Sequence, residues 1–157
     1  MSSSASPAEA PGPVDVDRAL MAALARDGRA SYTELADRVG LSVSAVHQRV
    51  RRLEQRGLIT GYRACLDATG LGLGLTAFVA ITPLDVDRAE EAPVKLAHLA
   101  AIEACHSVAG AESYLLKVRV ASTQALEDLL REIRSLAGVS TRTTVVLSTV
   151  FEDRPPL

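Results

Sequence analysis

The amino-acid sequence predicts an α+β protein in two parts, and three features of the 157-residue chain support this. Apolar residues recur with helical spacing between Asp15 and Arg56, whereas from Leu75 they alternate or run together as in strands. A glycine-rich stretch, residues 67–74, separates the two patterns and is typical of a hinge. The charge also divides, because residues 14–62 hold eight basic and six acidic side chains, net +2, and residues 63–157 hold nine and twelve, net −3.

Three helices are predicted in the first part, over residues 15–26, 31–39 and 43–56. Asp15 is a good N-cap for the first of them. The second opens with Ser31-x-x-Glu34, a capping box in which each residue satisfies a free backbone N–H of the other. Gly40 suits the left-handed conformation in which many helices end. Two short helices separated by one glycine, with a third before them, are typical of a winged-type helix-turn-helix, which places a helix in the major groove of DNA.

The third helix has one apolar face and one positively charged face. Its apolar residues Val46, Val50 and Leu53 are predicted to face the core. Four Arg residues stand against Glu54, the only acid between residues 42 and 56. Side chains of Arg, Gln, His and Ser can read base edges or hold phosphates, and the two Arg residues at the margins of the face suit the DNA backbone or a neighbouring acid. The candidate contacts to double-stranded DNA are Ser42, Ser44, His47, Gln48, Arg49, Arg51 and Arg52, with Arg49 and Arg52 at the margins.

The second part is predicted to be a ferredoxin-like β-α-β-β-α-β unit. Apolar side chains are expected on both faces of its first strand, where Leu75, Ala77, Val79 and Ile81 oppose Phe78 and Ala80. The same is expected of its last strand, where Val145, Leu147 and Phe151 oppose Val146 and Val150. Helices of such a unit cover one face only, so a second subunit is expected to cover the other. The predicted strands are 75–81, 103–108, 113–120 and 141–151, and the predicted helices are 93–102 and 123–137.

These elements set the expected domain limits. After Met1, residues 2–13 are Ser, Ala, Pro and Gly with one acid, so a disordered tail is predicted over 1–13 and not a signal peptide. The limits that follow are 1–13 for the tail, 14–62 for the helix-turn-helix, 63–74 for the hinge, 75–152 for the ferredoxin-like domain and 153–157 for a second tail.

The sequence also bounds the compartment. The longest apolar stretch, residues 71–84, is too short to span a bilayer, so no membrane partner is expected. Cys65 and Cys105 lie far apart in a chain without a secretory signal, and they are predicted to be reduced, buried thiols. A cytoplasmic protein is therefore expected.

Residues able to support catalysis or metal binding do not come together in the predicted elements. Cys105 and His106 are adjacent in a strand, so their side chains point to opposite faces and cannot pair as nucleophile and base. The three histidines fall on three different elements, without the spacing of a zinc site. Gly70-x-Gly72-x-Gly74 precedes a strand, whereas a nucleotide-binding loop follows one. Neither an enzyme nor a metal or other cofactor is expected.

One stretch resembles a known family closely. From Gly40 to Tyr62 the chain reads Gly-Leu-Ser-x-x-x-Val-x-x-Arg-Val-x-Arg-Leu-Glu-x-x-Gly-x-Ile-x-Gly-Tyr, which is similar to the leucine-responsive/asparagine-regulator (Lrp/AsnC) transcription regulators of prokaryotes. In the second part, Glu103-Ala-Cys-His-Ser-Val-Ala-Gly110 and Tyr114-Leu-Leu-Lys-Val118 resemble the effector-binding domain of that family. The resemblance covers residues 14–152. It implies a DNA-binding homodimer that assembles into tetramers or octamers and responds to a free amino acid.

The resemblance also implies where that amino acid binds, namely between subunits and against the loop before the third strand. Glu112 or Ser113 could accept hydrogen bonds from its ammonium, and backbone N–H groups of a glycine turn could hold its carboxylate. A common family form is Gly-Asp-x-Asp-Tyr, and Ala111 and Ser113 replace its two acids here, so the family's usual ammonium contacts do not carry over directly to this chain. The candidate effector residues are Gly110, Ala111, Glu112, Ser113 and Tyr114 in the loop, and Ser140, Thr141 and Arg142 on the neighbouring side.

Two other functions fit the same elements. The ferredoxin-like part could sense a metabolite and act on a protein partner, in which case the protein would not shift duplex DNA. The protein could also be an architectural DNA-binding protein without a small-molecule effector, in which case amino acids would not change its melting temperature.

Overall fold

The computed structural model describes residues 13–156, without the side chains of Pro13, Val14 and Val86. It contains two compact units, each with its own core. The first comprises the described residues up to Cys65 together with those from Phe151 onward, and the second is Leu66–Val150. The predicted disordered tail lies outside the described residues apart from Pro13, which begins a helix.

The first unit contains the three predicted helices, α1 (Pro13–Arg26), α2 (Tyr32–Val39) and α3 (Val43–Gln55). Helix α1 begins at Pro13, so Asp15 lies in its first turn and is not its N-cap as predicted. Proline suits this position because it has no N–H to leave unsatisfied and its φ is already helical. The charge of Asp15 still favours the positive end of the helix dipole.

The capping box that was predicted at the start of α2 is confirmed. The hydroxyl of Ser31 accepts a hydrogen bond from the Glu34 backbone N–H at 3.2 Å. In return, the Glu34 carboxylate accepts one from the Ser31 backbone N–H at 2.7 Å. Gly40 ends α2 in the left-handed conformation, with φ 68°. These two ends fix the length of α2 and therefore the tight turn into α3.

The core of the first unit lies between its three helices. The predicted inward-facing residues of α3, Val46, Val50 and Leu53, are all buried, so the polar face of α3 must lie on the solvent side. Leu20 and Leu35 supply the matching fully buried side chains of α1 and α2. The buried cluster consists of Val16, Leu20, Ala23, Leu35, Ala36, Val46 and Val50.

The second unit is a four-stranded antiparallel sheet with two main helices, and its chain order is the predicted β-α-β-β-α-β. The strands lie in the order β2-β3-β1-β4, so β1 and β3 are central and the other two form the edges. The elements are β1 (Leu75–Pro83), a short 3-10 turn (Val86–Arg88), α4 (Glu91–Leu96), β2 (Ile102–Ser107), β3 (Tyr114–Val120), α5 (Thr123–Ala137) and β4 (Val139–Val145).

Two predicted elements differ from the observed bounds by more than two residues. Helix α4 ends at Leu96 and not at Ile102, because the residues after it form tight turns, as in the hydrogen bond from Leu99 N–H to Leu96 O. Strand β4 covers 139–145 and not 141–151. Val145, the last residue of β4, pairs with Ala77 of β1. Strand β1 begins only two residues before Ala77, at Leu75, so the residues after Val145 have almost no strand left to pair with.

The two faces of the sheet differ in chemistry. Helices cover the face that carries the core residues of β1 and β3, among them Val79, Ile81 and Leu116. We call the other side the open face. It carries Phe78, which is 38% exposed, and Ala80 in the centre, flanked by charged and hydroxyl side chains.

The prediction that β4 is apolar on both faces is wrong. Its side chains on the open face are Ser140, Arg142 and Thr144, which pair with Thr82, Ala80 and Phe78. The apolar residues that were placed in this strand follow its end, and among them Leu147 is 97% exposed and Val150 88%. The apolar part of the open face therefore belongs to β1.

The two cysteines are exposed to solvent, and the described helices are not of a membrane-spanning kind. Cys65 and Cys105 are both exposed free thiols, so the prediction that they are buried is wrong. Cys105 lies on β2, an edge strand, which is less well covered than the two central strands. Within the described residues, no helix is both long and apolar enough to cross a membrane.

Candidate DNA-binding and effector sites

The start of α3 is held by a side-chain cap. The Ser42 hydroxyl accepts a hydrogen bond from the Ala45 backbone N–H at 3.3 Å. It also lies 3.1 Å from the Ser44 hydroxyl. Ser42 therefore positions the first turn of α3, the end of the helix at which the dipole favours an anion.

One face of α3 is fully available to a partner. Ser44, His47, Gln48 and Arg51 are exposed, and they share the side opposite the buried Val46 and its neighbours. The His47 ring packs edge-on against Tyr32 of α2, with ring centroids 5.0 Å apart and an interplanar angle of 80°. This contact restricts the imidazole without covering it. We call Ser44, His47, Gln48 and Arg51 the reading face.

Arg49 does not belong with the reading face. Its guanidinium donates a hydrogen bond to the Asp17 carboxylate of α1 at 2.7 Å. The two side chains are only 24% and 21% exposed. Of the two roles expected for Arg49 and Arg52, Arg49 has that of holding a neighbouring acid in this structure, whereas Arg52 is exposed and, among the described side chains, forms no ion pair.

The segment after α3 is tied back to that helix. The Tyr62 hydroxyl donates a hydrogen bond to the Glu54 carboxylate at 3.0 Å. Burial, followed by this hydrogen bond, raises the pKa of Tyr62 to about 12. The edge of the Tyr62 ring also lies 3.6 Å from where a Cβ would be on Gly28, in the turn after α1. The contact engages the only acid of α3 and fixes the path of the chain beyond it.

The loop before β3 is anchored to the sheet by its backbone. The Ser113 N–H donates to the Ile81 carbonyl at 3.1 Å, and the Val108 N–H donates to the Ser113 carbonyl at 3.1 Å. The Glu112 carboxylate forms an ion pair with Arg142 of β4, across the end of β1. The side chain of Glu112 is 22% exposed and that of Arg142 is 75% exposed. Two predicted effector residues from different segments of one chain therefore meet.

Two other predicted effector residues point away from this ion pair. Thr141 lies opposite Ile81 on the helix-covered face, where its hydroxyl accepts a hydrogen bond from Arg134 at 3.1 Å. Tyr114 packs against the core on the same face. Ser140 is on the open face, and its hydroxyl donates to the Thr82 carbonyl at 3.3 Å. The structure brings Glu112, Arg142 and Ser140 to one side and leaves Tyr114 and Thr141 on the other.

The loop does not enclose a pocket within one chain. Gly110 and Ala111 are exposed, and a Cβ built on Gly110 would meet no atom within 4 Å. Gly110 does not adopt the left-handed conformation, so the loop is not a turn that requires glycine. A shallow cavity of about 390 Å³ exists elsewhere in the unit, and none of the predicted effector residues lines it.

Models of two protein families match the chain. One describes a winged helix-turn-helix DNA-binding domain and matches residues 15–60. The other describes the Lrp/AsnC ligand-binding domain and matches residues 76–156, which is more than half of the chain. The chain belongs to the Lrp/AsnC family.

Similar proteins agree with this assignment. The HTH-type transcriptional regulator LrpA of Mycobacterium tuberculosis is 56% identical over 140 residues, 89% of this chain and 93% of the relative. The leucine-responsive regulatory protein of Escherichia coli is 42% identical over 145 residues, 88% of this chain and 87% of the relative. A feast-or-famine regulatory protein from M. tuberculosis, solved in complex with L-methionine, is 56% identical with a TM-score of 0.87, over 90% of this chain and 96% of that one.

The protein is thus a DNA-binding transcriptional regulator of the Lrp/AsnC type. Its relatives are regulators and not enzymes, so the prediction of a non-enzyme is confirmed. Within residues 13–156, no group of three or more His, Cys, Asp or Glu side chains could hold a metal ion.

Sequence reasoning missed two residues that shape the DNA-binding unit. Asp17 pairs with Arg49 across a separation of 32 residues, and no local pattern indicates such a contact. Tyr62 stands in the motif from Gly40 to Tyr62, but its hydroxyl contact with Glu54 depends on the chain turning back after Gly57, which has φ 69°. Both contacts depend on tertiary structure.

Proposed function

We propose that this regulator binds double-stranded DNA with α3 in the major groove and that a free amino acid controls binding. The observation that carries the first half is the reading face, whose side chains are exposed while their helix is fixed by a cap, a core and two side-chain contacts. A rigid helix with exposed Gln and Arg suits base readout, because these side chains can make paired hydrogen bonds to adenine and guanine.

The charge balance on α3 favours the same surface. Arg49 is neutralised by Asp17, and the acid Glu54 is engaged by Tyr62. Arg51, Arg52 and Arg56 are exposed, and within the described chain none of them forms an ion pair. Arg51 on the reading face and Arg52 beside it would attract the phosphate backbone, so affinity should fall steeply as salt rises.

Replacing both Gln48 and Arg51 by Ala tests this surface. The probe is a duplex that the wild-type protein selects from a random-sequence pool. Loss of two base contacts should weaken binding by about 1–3 kcal/mol for each contact. Arg131→Ala, which removes an exposed cation from α5, is the matched control and should leave affinity unchanged. Unchanged affinity of the double variant would remove α3 from the interface.

The amino-acid effector is proposed to bind beside Glu112 and Arg142. A zwitterionic ligand could separate this ion pair and form one with each partner. Its ammonium would pair with Glu112 and its carboxylate with Arg142. The exposed loop residues 110 and 111 leave this position open to solvent, so a neighbouring subunit would complete the pocket. The complex of a relative with L-methionine supports an amino-acid ligand.

A thermal-shift and calorimetric screen with L-methionine and the other common amino acids tests the effector. We expect at least one of them at millimolar concentration to raise the melting temperature of the wild-type protein. Glu112→Gln should weaken that response, and Glu127→Gln, an exposed acid on α5, should not. If no amino acid changes melting temperature, oligomer size or DNA affinity, the effector half of the proposal is wrong.

We also propose that the protein is a homodimer, associating further to a tetramer or octamer, with the open face as one contact. Phe78 is the large apolar side chain at its centre, and Ala80 and Leu115 lie close to it. Phe78→Asp should shift the sedimentation coefficient toward the monomer, whereas Leu136→Asp, at an equally exposed site on α5, should not. A wild-type protein that sediments as a monomer at micromolar concentration would refute the dimer.

Working domain limits follow from the same proposal. The family models match 15–60 and 76–156, which supports a DNA-binding domain over 14–62, a hinge over 63–74 and an effector domain over 75–152. As a regulator of chromosomal DNA, the protein is proposed to act in the cytoplasm. Limited proteolysis that cuts first within 63–74 would support the hinge, and a first cut inside either domain would contradict it.

A further inference from the structure

The ion pair between Arg49 and Asp17 joins the recognition helix to a different helix. Asp17 lies next to the buried Val16 of α1, and Arg49 lies between the buried Val46 and Val50 of α3. The carboxylate and the guanidinium are 2.7 Å apart and less than a quarter exposed. The pair therefore sits at the edge of the contact between α1 and α3, where it can fix how far α3 is rotated about its own axis.

Helical geometry separates Arg49 from the side of α3 that would face DNA. At about 100° per residue, Arg49 lies roughly 150° around the helix from the midpoint between His47 and Gln48. It is much closer to the buried side, to which Val46 and Val50 belong. An arginine in this position, already bound to a carboxylate, is poorly placed to reach a base or a phosphate while α3 lies in the groove.

We infer that Arg49 and Asp17 are positioning residues for DNA recognition: their ion pair sets the rotation of α3, and Arg49 itself does not contact DNA. The inference rests on the proposal that α3 enters the major groove. The inference predicts that replacing Asp17 by a neutral residue weakens specific DNA binding, although the replacement removes a negative charge from the DNA-binding domain. General electrostatics alone would make such a change strengthen binding.

Asp17→Asn and Arg49→Gln in the full-length protein test this inference. The probes are the duplex selected by the wild-type protein and an unrelated duplex of equal length. Both variants should bind the selected duplex roughly three- to ten-fold more weakly, in the lower part of the range for coupled residues in contact, and the unrelated duplex almost as well as the wild type. Asp15→Asn is the matched control, because it removes an exposed acid from the same turn of α1. It should not weaken binding to either duplex.

The salt dependence separates positioning from a direct contact. Loss of one phosphate contact would lower the slope of log affinity against log salt by about 0.9, so Arg49→Gln should leave this slope unchanged. Arg49→Lys, which keeps the charge, and the exchanged pair Asp17→Arg with Arg49→Asp should each recover most of the specific affinity. Circular dichroism at the assay temperature confirms that each variant is folded. Asp17→Asn and Arg49→Gln each break the ion pair, so the folded one carries the test if the other does not fold.

Three results would overturn the inference. The first is Asp17→Asn binding as tightly as Asp15→Asn, and the second is a reduced salt slope for Arg49→Gln. The third is equal loss on both duplexes, which would indicate a general loss of structure or charge. Failure of the underlying proposal is distinguishable, because in that case the Gln48 and Arg51 double variant would also bind normally.

Discussion

Leu35→Ala should unfold the DNA-binding unit while the second unit stays folded. Leu35 is fully buried among the three helices, and the buried cluster that contains it shares no residue with the cluster of the sheet. Removing a buried leucine side chain to Cβ costs about 2–5 kcal/mol, since it forfeits transfer free energy and leaves a cavity. A unit of about 50 residues has only about 2.5–7.5 kcal/mol of stability to lose.

The change should therefore remove most of the stability of this unit. A loss of about 3 kcal/mol corresponds to a fall of roughly 12–24 °C in the melting temperature of a small domain. Hydrogen exchange read by mass spectrometry measures the two units separately. Peptides from α1 to α3 should lose protection in the variant, and peptides from β1, β3 and α5 should keep it. Specific DNA binding should be lost in parallel.

Two variants serve as controls for this prediction. Leu116→Ala removes an equally buried side chain from the sheet and should have the reverse pattern. Leu58→Ala, at a side chain that is 52% exposed, should change stability by less than about 0.5 kcal/mol. The reasoning would be refuted if Leu35→Ala exposed both units to exchange together, or if it left DNA binding and the exchange of α1 to α3 unchanged.

Three further predictions test local contacts. Hydrogen bonds from the Ser31 backbone and side chain hold the pKa of Glu34 below its ordinary value of 4.5, so their stabilising effect is present above that pH and is lost as pH falls through the lowered pKa. Ser31→Ala should raise this pKa in a carboxylate NMR titration, and an unchanged pKa would contradict the capping box. The pKa of Tyr62 is raised to about 12, so its contribution to the stability of the folded state is complete below pH 10 and disappears as pH rises through 12. Absorbance at high pH should show one tyrosine that ionises at a higher pH than the others. Glu54→Gln should lower the pH at which it ionises, and Tyr62→Phe should remove its signal. Gly138→Ala should lower the free energy of unfolding by about 1–2 kcal/mol, because Gly138 has φ 62°. Gly110 has no such φ, so Gly110→Ala should lower it little in the same denaturant titration. Equal losses in the two variants would contradict the assigned C-cap of α5.

Features that depend on near neighbours in the sequence were predictable. Helix α5 begins and ends as predicted, at Thr123 and Ala137, because a capping residue precedes it and Gly138 follows it. The capping box of α2 and the buried side of α3 were predictable for the same reason. Each depends on spacing within one helix, which the sequence displays directly.

Features that depend on partners far along the chain were not predictable. The end of β4 is set by where β1 begins, and the apolar residues from Val146 onward gave a misleading signal. Within one chain, the alternation of side chains along β3 and β4 places Tyr114 and Thr141 on the face opposite Arg142, and a site shared between subunits stays a prediction. The pairing of Asp17 with Arg49 required the packing of α1 on α3 to be known.

The base sequence preferred by the protein tests the central claim most directly. Duplexes are selected from one random-sequence pool by the wild-type protein and, separately, by the Arg51→Ala variant, and the two consensus sequences are compared. If α3 reads bases in the major groove, the variant should lose its preference at one position of each half-site and keep the others, with affinity lower by about 1–3 kcal/mol. Identical consensus sequences and equal affinities would contradict the claim that the reading face of α3 recognises DNA.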